Sequence, residues 1–318
     1  MIENISKLGF GLSSLAGSGN YNHQEKLIRT AIDHGITHFD VAPFYGSGDA
    51  ETILGKILSN CKEDVTITSK YGLIPLGDNK GGRIARNILR PVFRNSKALK
   101  RLASGIVNHV HEPNNQINFE KGSLIKSVEN SIKKLGKPLD VLLLHEVNCE
   151  MAMNEILLND LHQLQKNGLI TYSGVSGVIS EIYNPILFNS GKYNVIQVEN
   201  SLSNPAPINE FLDLGMEVFT HSALRGGLEK LKFLLNKRPG FKDIWDLEIG
   251  IDLSHNANLG QLLIEIALFE NIKGTVLFST TKPKRIEHLT LGLENKKLLT
   301  PKNYPKILNL LKDLNLQE

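Results

Sequence analysis

The chain has 318 residues, 41% hydrophobic and 22% charged, with a formal net charge of +3. That length supports a substantial core, and so small a charge gives no bulk electrostatic reason to expect a nucleic-acid or anionic membrane partner. Its two cysteines, Cys61 and Cys149, are far apart and lack CxxC spacing, which argues against a disulfide scaffold and a zinc site, so no metal is expected.

The opening MIENISKLGFG has Glu3 where a secretory signal needs positive charge, and no stretch approaches the roughly 18 apolar residues of a membrane span. The expectation is a cytoplasmic protein with a small-molecule partner, no nucleic acid and no membrane. Nothing in the sequence specifies its oligomeric state.

Along the chain, short β-branched apolar runs alternate with stretches of three-and-four apolar spacing. Strands are expected at Lys7 to Leu12, Thr37 to Asp40, Val65 to Ser69, Val141 to Leu144, Thr171 to Val175, Val195 to Val198, Glu217 to Thr220 and Thr275 to Phe278. Helices are expected at Gln24 to Asp33, Ala50 to Leu58, Lys121 to Leu135, Met153 to Lys166, Asn209 to Leu214, Asn258 to Glu270 and Lys284 to Leu291, with a final one at Pro305 to Leu314. Eight strands, each followed by a helix, is the arithmetic of a single-domain (β/α)8 TIM barrel. A doubly wound sheet is the alternative, but no GxGxxG follows the first strand, where a dinucleotide-binding version needs it. Two connections, residues 71–120 and 224–254, are too long for the pattern and read as active-site loops.

Chemistry concentrates at strand ends. In HFDVAPFYG, Asp40 closes an apolar strand and Tyr45 follows in a Pro/Gly loop. A carboxylate there is costly to bury without a cation, and the next strand, VTITSKYG, ends on Lys70. The fourth, PLDVLLLHE, ends on His145. A surface ion pair and a satisfied core histidine would explain these residues one at a time. Their coincidence at corresponding strand ends favours a site.

These residues resemble the aldo-keto reductase superfamily, whose DxAxxYG motif is matched by Asp40, Ala42, Tyr45 and Gly46. LGFG at 8–11, AETILGKIL to residue 58, SKYG at 69–72 and LLLHE at 142–146 extend the likeness. The resemblance implies a carbonyl reduced by hydride from NADP(H), with Tyr45 as proton donor, Lys70 lowering the tyrosine pKa, Asp40 holding Lys70, and His145 donating to the substrate oxygen.

It also implies cofactor contacts. Ser176 comes from SGVSG, where Gly177 replaces a common asparagine, and Gln197 comes from VIQVEN, where Asn200 replaces a frequent aromatic. THSALRGG offers His221 in place of a stacking tyrosine, with Ser222, Leu224 and Gly226 toward the pyrophosphate. FSTTKPKR offers Ser279, Thr280 and Thr281 before a helix N-terminus, with Lys282 and Arg285 as cations suited to a ribose 2'-phosphate, which favours NADP(H) over NAD(H).

From Lys80 to Arg101 the chain carries eight Lys and Arg residues and no Asp or Glu: Lys80, Arg83, Arg86, Arg90, Arg94, Lys97, Lys100 and Arg101. A solvated lid is one explanation; attraction of an anionic substrate, such as a phosphorylated or nucleotide-linked sugar, is the other. Two further alternatives to a reductase stay open: a catalytically weak nicotinamide-binding regulatory subunit, and a Schiff-base aldolase using Lys70.

Overall fold

The computed structural model describes residues 2, 5–15, 20–73, 122–188, 191–237, 239–250, 252–295 and 297–315. In chain order the elements are β1 (Leu8–Gly11), α1 (Tyr21–Asp33), β2 (His38–Asp40), α2 (Ala50–Leu58), β3 (Thr66–Tyr71), α3 (Ser123–Leu135), β4 (Leu139–His145), α4 (Cys149–Ala152), α5 (Glu155–Lys166) and β5 (Ile170–Ser176). Then follow α6 (Ile179–Phe188), β6 (Val195–Glu199), α7 (Ile208–Asp213), β7 (Glu217–His221), α8 (Gly227–Lys237), α9 (Pro239–Ile249), α10 (Asn256–Glu270), β8 (Thr275–Phe278), α11 (Pro283–Asn295) and α12 (Tyr304–Asn315). The strands close in sequence order into a parallel eight-stranded barrel, β8 pairing back onto β1. This is the expected (β/α)8 fold, a single barrel.

Strand alternation positions the site. Val141, Leu143, Val195, Phe219 and Leu277 form an apolar cluster separate from the strand–helix layer, and they fill the barrel interior. Two residues further along the same inward rows stand His145 after Leu143, Gln197 after Val195, His221 after Phe219 and Ser279 after Leu277. Asp40 caps the row begun by His38, and Lys70 the row of Thr66 and Thr68. Each polar candidate is therefore the top rung of a ladder whose lower rungs are packed. The packing is tight enough that a Cβ on Gly174, at the β5–β6 contact, would lie 2.0 Å from the Val195 carbonyl oxygen.

Outside the barrel, leucines, isoleucines and valines of the strands pack under α1, α2, α3, α5 and α6. The helix expected at Met153 to Lys166 is α5, and a short helix that was not expected, α4, precedes it. Asn148 caps α4 by accepting from Met151 N–H (3.0 Å), and Asn154 caps α5 by accepting from Leu157 N–H (3.1 Å). Helix α6, for which no bounds were expected, carries Pro185 within it and buries Ile182, Pro185 and Ile186.

The connection 224–254, expected as an irregular loop, is largely helical. α8 and α9 occupy most of it and pack Leu231, Leu235, Trp245 and Ile249 against α10 and α12 in a satellite core. Four leucines at helical spacing in GLEKLKFLLNK drive that burial. The buried Glu265 carboxylate ties the C-terminal segment down by accepting from the backbone N–H groups of Leu298 and Leu299, 2.7 Å each. Of the other long connection, 71–120, all but residues 71–73 lies outside the described residues, and so does the basic run from Lys80 to Arg101. Among the described residues no helix is long and apolar enough to cross a membrane.

Candidate active site

Asp40 and Lys70 end adjacent parallel strands and are both buried. Lys70 Nζ donates to Asp40 Oδ1 at 2.5 Å and to the Tyr45 hydroxyl at 3.0 Å. Tyr45 reaches this point from a short 3-10 turn, Tyr45–Gly48, which starts with a 2.9 Å bond from its N–H to the Ala42 carbonyl. Gly46 takes the left-handed φ of 63° that the turn needs. The His145 ring lies edge-on to the tyrosine ring, centroids 5.9 Å apart at 84°. All four expected residues thus converge on one point at the barrel mouth.

The electrostatics follow from burial. Desolvation by itself lowers the Lys70 pKa, but attraction and hydrogen bonding to Asp40 and Tyr45 outweigh it and raise the lysine pKa. Desolvation drives the His145 pKa well below the usual imidazole value, with Lys70 and His221 adding to the effect, so the ring is neutral. His221 falls to about 4 for the same first reason.

Tyr45 corrects an expectation. Lys70 does favour its phenolate, but burial is the larger influence and the pKa rises. At neutral pH the group is an intact phenol, able to give a proton and backed by an ammonium that stabilises the phenolate left behind.

These side chains stand in a cleft of about 350 Å³, the scale of a small-ligand pocket. Of the expected cofactor residues, Ser176, Gln197, His221, Ser222, Leu224 and Ser279 line it. Ser176 Oγ donates to Gln197 Oε1 (3.0 Å), and Gln197 Nε2 donates to Asp40 Oδ2 (2.7 Å). His221 Nδ1 meets Ser222 Oγ at 2.8 Å, and Ser222 holds a φ of 64°, a strained conformation for a residue other than glycine.

Gly226, Thr280, Thr281, Lys282 and Arg285 do not line this cleft. Gly226 stands just before α8, while Thr280, Thr281 and Lys282 lead into α11, whose first turn carries Arg285. Thr280 Oγ1 accepts from Lys282 N–H (3.2 Å), and the Thr281 carbonyl meets His23 Nε2 (2.9 Å).

Other positions behave differently from the resemblance. A Cβ on Gly177 would lie 3.0 Å from the Val147 carbonyl oxygen, so no asparagine fits there without movement. The Asn200 amide turns from the cleft to donate to Glu270 (2.8 Å) and accept from Ala206 N–H (2.9 Å). Ser13, Glu146 and Arg225 also line the cleft, and sequence reasoning did not single them out. Ser13 stands two residues beyond LGFG, and Glu146 and Arg225 lie within LLLHE and THSALRGG.

A nicotinamide dinucleotide fits this donor set at three points. The buried Ser176 hydroxyl and Gln197 amide suit a carboxamide, and the starts of α8 and α11 flank the cleft with helix N-termini suited to phosphates. The cations Lys282 and Arg285 are exposed beside the second of these.

A closed parallel barrel with Asp40, Lys70 and His145 buried at the carboxyl ends of its strands and the partly buried Tyr45 beside them defines a TIM-barrel protein with one polar cluster at the barrel mouth. The model of the aldo/keto reductase family matches residues 7–308, and the chain belongs to that family. It is 32% identical to aldo-keto reductase YhdN of Bacillus subtilis over 126 residues, 36% of this chain and 37% of that one. It is 24% identical to pyridoxine 4-dehydrogenase of Escherichia coli over 192 residues, 55% of this chain and 54% of the other. The chain spans about half the length, or less, of the curated relatives it matches. Among solved structures it is similar to aldo-keto reductase AKR11C1 from Bacillus halodurans, in its holo form, with a TM-score of 0.70 at 18% identity over 96% of this chain and 92% of that one. At that identity the likeness speaks for the fold alone.

Proposed function

We propose that the protein interconverts an aldehyde or ketone with its alcohol, using NADP(H) and Tyr45 as the proton donor. The observation that carries this reading is the single Lys70 ammonium bonded to both Asp40 and the Tyr45 hydroxyl, beside a neutral His145. A reduced nicotinamide, when bound, supplies the hydride.

The chain's own residues do the rest. Tyr45 hands its phenolic proton to the carbonyl oxygen as that oxygen gains charge. Lys70, 3.0 Å from the phenol oxygen, stabilises the phenolate that forms, and Asp40 keeps the ammonium charged and aimed. A neutral His145 donates a hydrogen bond to the same carbonyl oxygen. Ser176 and Gln197 hold the carboxamide, and Ser222, Leu224, Gly226, Ser279, Thr280 and Thr281 hold the diphosphate and adenosine side. Lys282 and Arg285 supply the preference for a 2'-phosphate.

The substrate class is a small carbonyl compound, including a sugar or an anionic sugar derivative. A panel of neutral and phosphorylated aldehydes and ketones, followed by NADPH absorbance with NADH in parallel, tests the reading. Expected are turnover with NADPH and its loss in Tyr45→Phe with NADPH binding retained. Full activity in Tyr45→Phe would overturn it.

A further inference from the structure

The relay does not end at Asp40. Its carboxylate has two oxygens: Oδ1 accepts from Lys70, and Oδ2 accepts from Gln197 Nε2 at 2.7 Å. A carboxylate only accepts, so the amide can face it through its NH2 alone; the flipped amide would set oxygen against oxygen. Ser176 holds the far end of the same amide, donating to Oε1 at 3.0 Å. Asp40, Lys70, Ser176 and Gln197 are each 2–3% exposed, so water cannot substitute readily for a lost partner.

We propose that Gln197 is a positioning residue of the proton relay: its amide holds the second oxygen of Asp40 and, through Asp40, sets the charge balance felt by Lys70 and Tyr45. This rests on Tyr45 as proton donor. Gln197 then has two tasks, since its amide also belongs to the carboxamide subsite, and Ser176, Gln197, Asp40, Lys70 and Tyr45 form one hydrogen-bonded series. Any ligand that draws on that amide alters the field at the proton donor. The charged or titratable groups facing Tyr45 are Asp40 from β2, Lys70 from β3, and His145 and Glu146 from the end of β4; His221 from β7 faces Lys70 and His145. Gln197 is neutral, so removing its amide changes the hydrogen bonding without changing the net charge.

The direction follows from electrostatics. The Nε2–H dipole offsets part of the Asp40 charge, and Asp40 opposes ionisation of Tyr45. Without the amide, Tyr45 holds its proton to higher pH.

The test uses the full chain without cofactor, made with 3-fluorotyrosine so that phenol ionisation falls at lower pH. The 19F resonance of Tyr45 is assigned by its loss in Tyr45→Phe. Gln197→Met, similar in length but without a donor, is expected to move the Tyr45 titration upward by about half a pH unit or more. Ser176→Ala keeps the Nε2 bond to Asp40; it is expected to titrate like the parent protein while weakening NADPH binding, read from NADPH fluorescence. Gln197→Met titrating like the parent, or Ser176→Ala shifting as far as Gln197→Met, overturns the proposal. Should Gln197→Met not fold, Gln197→Leu takes its place with the same expected outcomes. Because the Tyr45 titration is read with neither cofactor nor substrate present, its failure is separate from failure of the carbonyl assay.

Discussion

The two ends of the proposed dinucleotide site are built on opposite principles. At the barrel mouth, Asp40, Lys70, Ser176 and Gln197 are buried and tied to one another by hydrogen bonds, with His145 buried beside them. At the start of α11, Lys282 and Arg285 are exposed. Charge in the first region is held in place by desolvated partners, and a change there leaves another group uncompensated. Charge in the second is bathed in water and salt, so its contribution is smaller, additive and screened. A site that moves a proton needs the first arrangement, and one that only distinguishes two cofactors can use the second.

The largest expected effect comes from breaking the buried pair. Lys70→Met should lower kcat by about 10³-fold and destabilise the fold by about 3–5 kcal/mol, because Asp40 is left buried without its cation. NADPH turnover and urea unfolding check both. Unchanged stability would mean that the pair is far wetter than its 2.5 Å contact and burial imply.

The buried region should also announce itself through pH. His38 is fully buried under Asp40, its nitrogens on Thr66 and Thr68 and its ring against Phe219, and its pKa is lowered to about 4, first by burial. The unfolded chain therefore takes up this proton below about pH 6.5 while the folded chain does not. Stability is lost as pH falls from 6.5 toward 4 and levels below that. At pH 5 the loss from His38 is about 2 kcal/mol. His145 and His221 act with the same sign, so comparing the parent protein with His38→Gln isolates this part. Parallel stability curves between pH 7 and 5 would refute it.

Smaller effects belong to the exposed end. Arg285→Ala should raise the KM for NADPH about tenfold, equivalent to about 1.4 kcal/mol, leave NADH nearly untouched, and fade at high salt. Equal losses for both cofactors would place Arg285 elsewhere in the site. Smallest of all, Gly177→Asn should not strengthen NADPH binding and should cost about 1 kcal/mol in thermal unfolding, since its Cβ meets Val147 and Ile182. Tighter binding would show that the backbone yields there.

What could be read from the chain alone follows from local pattern. Strands buried on both faces leave unbroken apolar runs such as VLLL, and a polar residue ending such a run is conspicuous, which is why Asp40, Lys70 and His145 could be paired across more than a hundred residues. Tyr45 followed from its spacing and from the family likeness. Helix α6 holds a proline, which is a weak local signal for a helix, and α8 and α9 lie in a connection whose length suggests a loop although its leucine spacing is helical.

Other features existed only after the barrel closed. The bond from Gln197 to Asp40 joins β6 to β2, and the neutral state of His38 depends on walls supplied by β3 and β7. The upward shift of Tyr45 is the clearest case. The sequence supplied the ammonium that would lower its pKa, and only the enclosing structure supplied the desolvation that outweighs it. Residue identity and alternation are local properties, whereas desolvation and charge pairing sum over neighbours that are distant in sequence and that tertiary structure alone brings within a few ångströms.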